Sequence, residues 1–280
     1  MKNKTKPSLT FKLLYNLRMK TRLVNLNDFK GHPHPASKLF RAIELKTVYK
    51  ECKNMDFKEP SVDIGCGDGY MSSILFDKKF TYGVDNGEAK DIQIAIKKKL
   101  YKKVLIEGAE KMSLKSSSVN FIFSNSVIEH ISNNEAVLSE TSRILKKNGV
   151  FVFTSPSHLF SKYLYISNIL NRIGLAFIGN WYAYKRNKML NHYHIYSHIE
   201  WTKRLVRYGL KVIKYKYYIS KDCLIFWDKL AIEVRIRSLF DKRAKQNIYK
   251  KYQKKIQDFY ENDPVTNNRG ASLFIYAVKK

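Results

Sequence analysis

Acidic residues are scarce in this chain: 24 Asp and Glu stand against 52 Lys and Arg, a formal net charge of +28 over 280 residues. A surface so poor in negative charge attracts phosphates, nucleic acid or an anionic membrane face. Solvated lysine without a partner explains the imbalance equally well, since the chain is crowded with Lys, Asn and Ile, as an A/T-rich genome dictates. Cysteine is scarcer still. Cys52, Cys66 and Cys223 are odd in number and form no C-x-x-C pair, which argues against a disulfide framework or a cysteine zinc site and points to a reducing cytoplasm. Long apolar runs are missing as well. A membrane-spanning helix needs roughly 20 predominantly apolar residues. The best stretch, residues 164–184, is interrupted by Asn168, Asn171, Arg172 and Asn180. An interfacial helix stays open there. The basic start of the chain has no apolar core and no small-residue cleavage site, so it is not read as a signal peptide. What remains is a globular composition, 44% apolar and 27% charged, long enough for one large domain with its own core.

Short β-rich runs alternate with helical patterns between residues 36 and 156. Runs at 61–65, 80–85, 103–108, 119–126 and 150–156 read as strands. Segments 36–53, 70–76, 89–100 and 134–147 read as helices. The last is expected to close at Asn148-Gly149, two residues that tolerate a left-handed backbone. Such alternation predicts a parallel sheet with helices on both faces. Beyond Pro156 the alternation fails. Residues 157–198 are aromatic, basic and helical in pattern, 199–210 a helix, 211–220 a strand, 223–260 helical and 272–280 a closing strand. The expected layout is a basic N-terminal extension over 1–35 and one domain over 36–280. Within the domain, 157–198 and 223–260 are helical insertions on the substrate side.

Three glycines stand at every second position in Asp63-Ile64-Gly65-Cys66-Gly67-Asp68-Gly69, between a strand and a helix. The carboxyl edge of a parallel sheet is where open α/β folds bind ligands, and bare backbone there lets a ligand approach closely. The spacing is neither the phosphate loop G-x-x-x-x-G-K-[ST] nor the dinucleotide G-x-G-x-x-G. It resembles the first motif of class I S-adenosylmethionine (SAM)-dependent methyltransferases. The resemblance continues through Asp85, 20 positions after Gly65, and through segments 107–114, 123–131 and 142–157, and more loosely through 191–212. The subgroup it is most similar to is the ubiquinone-pathway-like methyltransferase domains.

This resemblance implies a Rossmann-like α/β fold, with a seven-stranded, mostly parallel sheet and helical insertions after strand 5 and before the last strand. It implies SAM as cofactor. Gly65, Cys66, Gly67 and Gly69 would meet its methionine part, and Asp63 would sit near its amino group. Asp85 would hold the ribose, and Ala109 and Glu110 would lie along the adenine. Ser124, Asn125 and Ser126 would line the floor beneath the sulfonium. Gly108 stands where the family often has an adenine-binding Asp, so Glu107 or Glu110 replaces that contact or it is missing. Arg41 reads as solvated surface or as a partner for the cofactor carboxylate.

Three histidines are candidate catalytic residues. His130 follows strand four, and His192 and His194 alternate on an aromatic segment before a helix; imidazole is the natural base at neutral pH. No carboxylate or cysteine is suitably spaced beside His192 and His194, so no metal site is expected. The aromatic and basic residues of 157–198 suit a small lid or a contact with an anionic membrane. The expected function is O-methylation of a sugar, glycolipid or polysaccharide intermediate at the inner membrane face. RNA methylation and a non-catalytic SAM-fold subunit are the alternatives. Nucleic acid is disfavoured as a partner, because the chain has no appended RNA-binding motif.

Overall fold

Each expected strand of the first half lines up in one sheet; the central ones, over 61–64 and 119–125, are apolar enough to be buried on both faces, while the edge strand over 101–105 leaves Lys102 and Lys103 exposed. The computed structural model describes residues 16–29, 34–265 and 269–280. The first half runs β1 (Leu17–Arg18), α1 (Pro35–Cys52), β2 (Asp56–Phe57), β3 (Ser61–Ile64), α2 (Tyr70–Leu75), β4 (Phe80–Val84) and α3 (Ala89–Lys97). It continues through β5 (Tyr101–Leu105), β6 (Val119–Asn125), α4 (Asn134–Ile144) and β7 (Leu145–Pro156). The second half adds α5 (Phe160–Tyr163), α6 (Tyr165–Arg172), α7 (Ala176–Met189), α8 (His198–Arg207) and β8 (Leu210–Tyr218). It ends with α9 (Lys221–Arg237), α10 (Ala244–Asn262) and β9 (Ser272–Lys279).

The main sheet has seven strands in the order β5-β4-β3-β6-β7-β9-β8. Strands β3 to β7 are mutually parallel, and β9 runs antiparallel between β7 and β8. After β5 the chain crosses back to the far side of β3, so the order reverses between β3 and β6. A crevice for ligand opens at such a switch. Ile64 is level with Val84 on one side and with Ser124 on the other. Gly65, Asp85 and Asn125 therefore leave the sheet side by side.

Successive residues of a strand face opposite sides, and the core divides accordingly. Phe121 and Phe123 point into an aromatic cluster with Phe57, Phe76 and Phe80, where Phe57 stacks on Phe121 at 4.0 Å between ring centres. Ile122 joins Ile64, Val137, Leu138 and Trp201 on the other face. Each such side chain contributes about 1.5–3 kcal/mol by leaving water. Serine caps two of the later helices, α8 and α9: Ser197 accepts from Glu200 N at 3.2 Å and Ser220 from Cys223 N at 3.1 Å. Gly209, at φ +72°, closes α8.

Two features differ from the sequence reading. The expected helix over 134–147 stops at Ile144, because buried Leu145 pairs with Val119 and draws the chain into β7. Asn148 does adopt a left-handed backbone, φ +63°, but within the irregular start of that strand. The expected extension over 1–35 is also not loose where it is described; residues 1–15 and 30–33 lie outside the described residues. Leu17, Met19, Val24, Leu26 and Phe29 are buried in the core, and β1 pairs antiparallel with β2. These apolar side chains are interspersed with basic ones, so the segment reads as charged although one side of it is core.

Candidate cofactor and acceptor site

The glycine turn leaves β3 with φ +72° at Gly65, +48° at Gly67 and +72° at Gly69. A β-carbon on Gly65 would lie 2.2 Å from Val127 Cγ2, so only glycine lets this turn close against the segment after β6. A β-carbon on Gly67 would meet nothing within 4 Å, and its bare main chain faces open space. Asp85, at the end of β4, ties the turn down: Gly67 N donates to its Oδ2 at 2.7 Å and Gly87 N to its Oδ1 at 2.6 Å. An ionised carboxylate offers about four lone-pair sites, so each oxygen can still accept a hydroxyl.

Asp63 is enclosed. Ser72 Oγ and Tyr101 OH each donate to its Oδ2 at 2.6 Å. Burial pushes its carboxyl up to about 6. In this position it braces the turn by linking β3 to α2 and β5. The Cys66 side chain is buried in the core, where loss of solvent raises its thiol pKa strongly, so any contact with ligand falls to its main chain. Ala109 is buried, and the Glu110 carboxylate and Asn86 amide crowd the space beside Gly108, where a β-carbon would lie 2.7 Å and 3.4 Å from them. Glu107 turns instead to Ser113, accepting from its N at 2.8 Å.

Ser124, Asn125 and Ser126 end β6, but only part of that stretch forms a floor. The Ser124 hydroxyl is buried without a partner among the described residues. Asn125 and Ser126 both reach Glu44 on α1, which sequence reasoning missed. The fully buried Glu44 carboxylate receives Arg41 Nη1 at 2.6 Å and Asn125 Nδ2, Thr154 Oγ1 and Tyr218 OH at 3.0 Å each, and also the Ser126 hydroxyl. Burial alone would raise this carboxyl. The Arg41 charge and the donated hydrogen bonds hold it below its ordinary value. Arg41 is therefore neither free surface nor an unpaired cation. A signal existed in the sequence, since Glu44 sits four residues from Phe40 and from Val48, on the same stripe of an amphipathic helix.

Beyond this network lies a cavity of about 190 Å³, bordered by Arg41, Ser126, Glu129, His130 and His192 and walled by Phe40, Phe160 and Trp227. Of the three candidate histidines the structure brings two together, with the His130 and His192 rings 5.3 Å apart. His194 is turned away: its Nε2 lies 2.9 Å from Ser132 O and its Nδ1 2.8 Å from Tyr196 OH. Burial pushes Glu129 up to about 8. Burial and the neighbouring His130 hold His192 down to about 3. Burial lowers His130 as well. A larger groove of about 620 Å³ runs past Glu59, Phe80 and Tyr101. Those residues mark the amino ends of β3, β4 and β5, the edge opposite the glycine turn.

The family described as "Methyltransferase domain" matches residues 62–153, the stretch from β3 to β7 that carries the glycine turn, Asp85 and the end of β6. This chain carries a class I SAM-dependent methyltransferase domain. The chain is 31% identical over 138 residues to an uncharacterised protein, MJ1252, of Methanocaldococcus jannaschii, a match covering 48% of this chain. The matched part spans about half, 50%, of that relative's own length. Among solved structures it is similar in fold to a SAM-dependent methyltransferase of Thermotoga maritima, described as a possible histamine N-methyltransferase. That similarity has a TM-score of 0.52 at 18% identity, over 88% of this chain and 91% of that one. A geranyl diphosphate methyltransferase in complex with SAM gives a TM-score of 0.53 at 14% identity, over 88% and 90%. SAM is the cofactor of this domain, and the open main chain at Gly67 and the remaining lone pairs of Asp85 fit it.

Proposed function

We propose that this methyltransferase methylates an oxygen of a lipid-linked sugar or polysaccharide intermediate at an anionic membrane face. SAM supplies a methyl group activated on sulfur. The chain supplies position and a dry pocket. The bare turn at 65–69 meets the methionine end and Asp85 the ribose hydroxyls, while Glu110 stands beside the adenine. The acceptor hydroxyl enters the 190 Å³ cavity, where Glu129 and the neutral imidazoles of His130 and His192 face it as it loses its proton.

One observation carries the lipid-linked reading. A second groove, about 630 Å³, lies between α7 and α9, and Ser37, Leu190 and Trp227 border both it and the smaller cavity. Met189, Ala231, Ile232, Val234 and Ile236 line it. An apolar chain lying in this groove would present its polar head to the cavity. Nearby, α7 carries Phe177, 85% exposed, and Trp181, 57% exposed, and Lys185 lies over the Trp181 ring. Apolar side chains rimmed by lysine suit an anionic bilayer surface. No helix among the described residues is long and apolar enough to cross a membrane.

Purified protein with labelled SAM, offered lipid-linked sugars in anionic vesicles, nucleotide-linked sugars and bulk RNA, tests the reading. Label is expected in the lipid-linked fraction. Label in RNA alone, or in none of the sugars, overturns it.

A further inference from the structure

The sequence offers no suitably spaced carboxylate beside His192 and His194, but folding supplies one. Glu129 follows β6, His130 is its neighbour, and His192 arrives from the segment after α7. One ligand atom from each lies within 4.8 Å of the others. We propose that Glu129, His130 and His192 bind a divalent transition-metal cation.

Three details favour a cation over a merely packed cluster. Glu129 is 1% exposed, and its Oε2 has no hydrogen-bond partner among the described residues. A buried carboxylate oxygen left without a donor is costly, and a bound cation removes that cost. His130 Nδ1 lies 3.1 Å from Asn191 O; that hydrogen bond leaves the lone pair on Nε2, which faces Glu129 Oε1 at 3.8 Å. Metal-bound imidazoles usually donate their other N–H to a carbonyl or carboxylate in this way. His192 Nδ1 is likewise buried without a partner.

The backbone fixes the three together. Tyr193 N donates to Glu129 O at 2.8 Å, and His192 N to Asn187 O at 2.9 Å. A cation about 2.1 Å from each ligand atom would hold them within about 4.2 Å of one another. The observed spread of 4.8 Å closes to that by small side-chain rotations. The nearby positive charges are already matched. Arg41 pairs with Glu44, and Arg186 pairs with Asp228 at 3.0 Å. One carboxylate and two imidazoles suit zinc, iron, cobalt or manganese better than magnesium or calcium.

The remaining coordination positions would face the 190 Å³ cavity, open to an oxygen of the acceptor. In this arrangement the imidazoles hold the cation instead of taking the acceptor's proton. The inference uses the same pocket as the proposed methyl transfer but not the identity of the acceptor.

The test is titration of the full chain, stripped with a chelator, with cobalt(II) followed by visible absorption and with zinc followed by calorimetry. SAM and acceptor are both left out, so failure here leaves the methyl-transfer reading standing, and failure there leaves this one. One cation per chain is expected. Glu129→Gln and His192→Gln should each weaken binding by about 100-fold or more, since losing even an outer-sphere partner typically costs 10–100-fold. His194→Gln should leave binding unchanged. Absence of one-to-one binding in the native chain overturns the proposal. So does binding that folded Glu129→Gln and His192→Gln retain at native affinity. Should either variant fail to fold, the native titration and the other variant decide.

Discussion

The cofactor half and the acceptor half of the crevice are built on different principles. The cofactor half comes from residues close in sequence: one strand, a glycine turn and the ends of the two flanking strands, with main chain doing much of the binding. The acceptor half is assembled from α1, the end of β6, α5, the segment after α7 and α9, and its business is done by side chains. The first half can hold its ligand with little besides backbone shape. The second rests on a buried polar network centred on Glu44, which ties α1 to the end of β6, to β7 and to β8.

Breaking that centre should have the largest effect. Glu44→Ala leaves Arg41, Asn125, Ser126, Thr154 and Tyr218 without their common acceptor. Removing one partner of a buried ion pair costs about 3–5 kcal/mol, which lowers the melting temperature by roughly 10 °C. A fall of under about 2 °C in calorimetry would mean that the acceptor half does not depend on this network. Next comes Gly65→Ala, which forces a β-carbon against Val127 at φ +72°. Calorimetric SAM affinity should drop on the order of 100-fold, about 2.7 kcal/mol, while vesicle binding is kept. Asp85→Asn should cost about 1.5–3 kcal/mol of SAM binding, the worth of hydrogen bonds to a charged group. The same substitution at Asp63 should act mainly on stability, because that carboxylate braces the turn.

The smallest effect is a pH slope confined to the acceptor half. Burial pushes the Glu129 carboxyl up to about 8 in the folded chain, above the ordinary carboxylate range. Its stabilising contribution is complete below the unfolded value and is lost as pH rises through about 8. Between pH 6.5 and 7.5 the Glu129 contribution, read as the difference between the native chain and Glu129→Gln in chelator, should fall by about 1 kcal/mol per pH unit, while the buried histidines, lowered from their ordinary value, act in the opposite sense in both proteins. Glu129→Gln should flatten that slope; equal slopes in denaturant melts of both proteins would refute the assignment.

The same division explains what could be read from the sequence. The turn at 65–69, Asp85 and the strand alternation form contiguous patterns whose chemistry is local. The strand β1–β2 pair escaped notice because strands of two residues have no periodicity to detect. Glu44 escaped because an acid three residues from an arginine reads as an exposed helical pair, although Val48 on the same stripe is buried and Phe40 half-buried. Glu129 and His192 are 63 positions apart, and no spacing rule could place them in contact. Alternation with His192 made His194 a candidate, because alternate residues of an extended segment share a face; residues 192–195 form no regular strand, and the His194 ring turns to Ser132 O and Tyr196 OH instead.

The hydrogen bond from Tyr193 N to Glu129 O joins the insertion to the sheet edge through peptide groups alone. A clasp of that kind constrains the path of the chain and is indifferent to what hangs from it. Exposed side chains of the α6–α7 segment, such as Phe177 and Trp181, can therefore be exchanged to suit a different acceptor without moving His192 from its post. The grip on the imidazole and the choice of guest are mechanically separate, which makes this segment the natural place to graft new specificity.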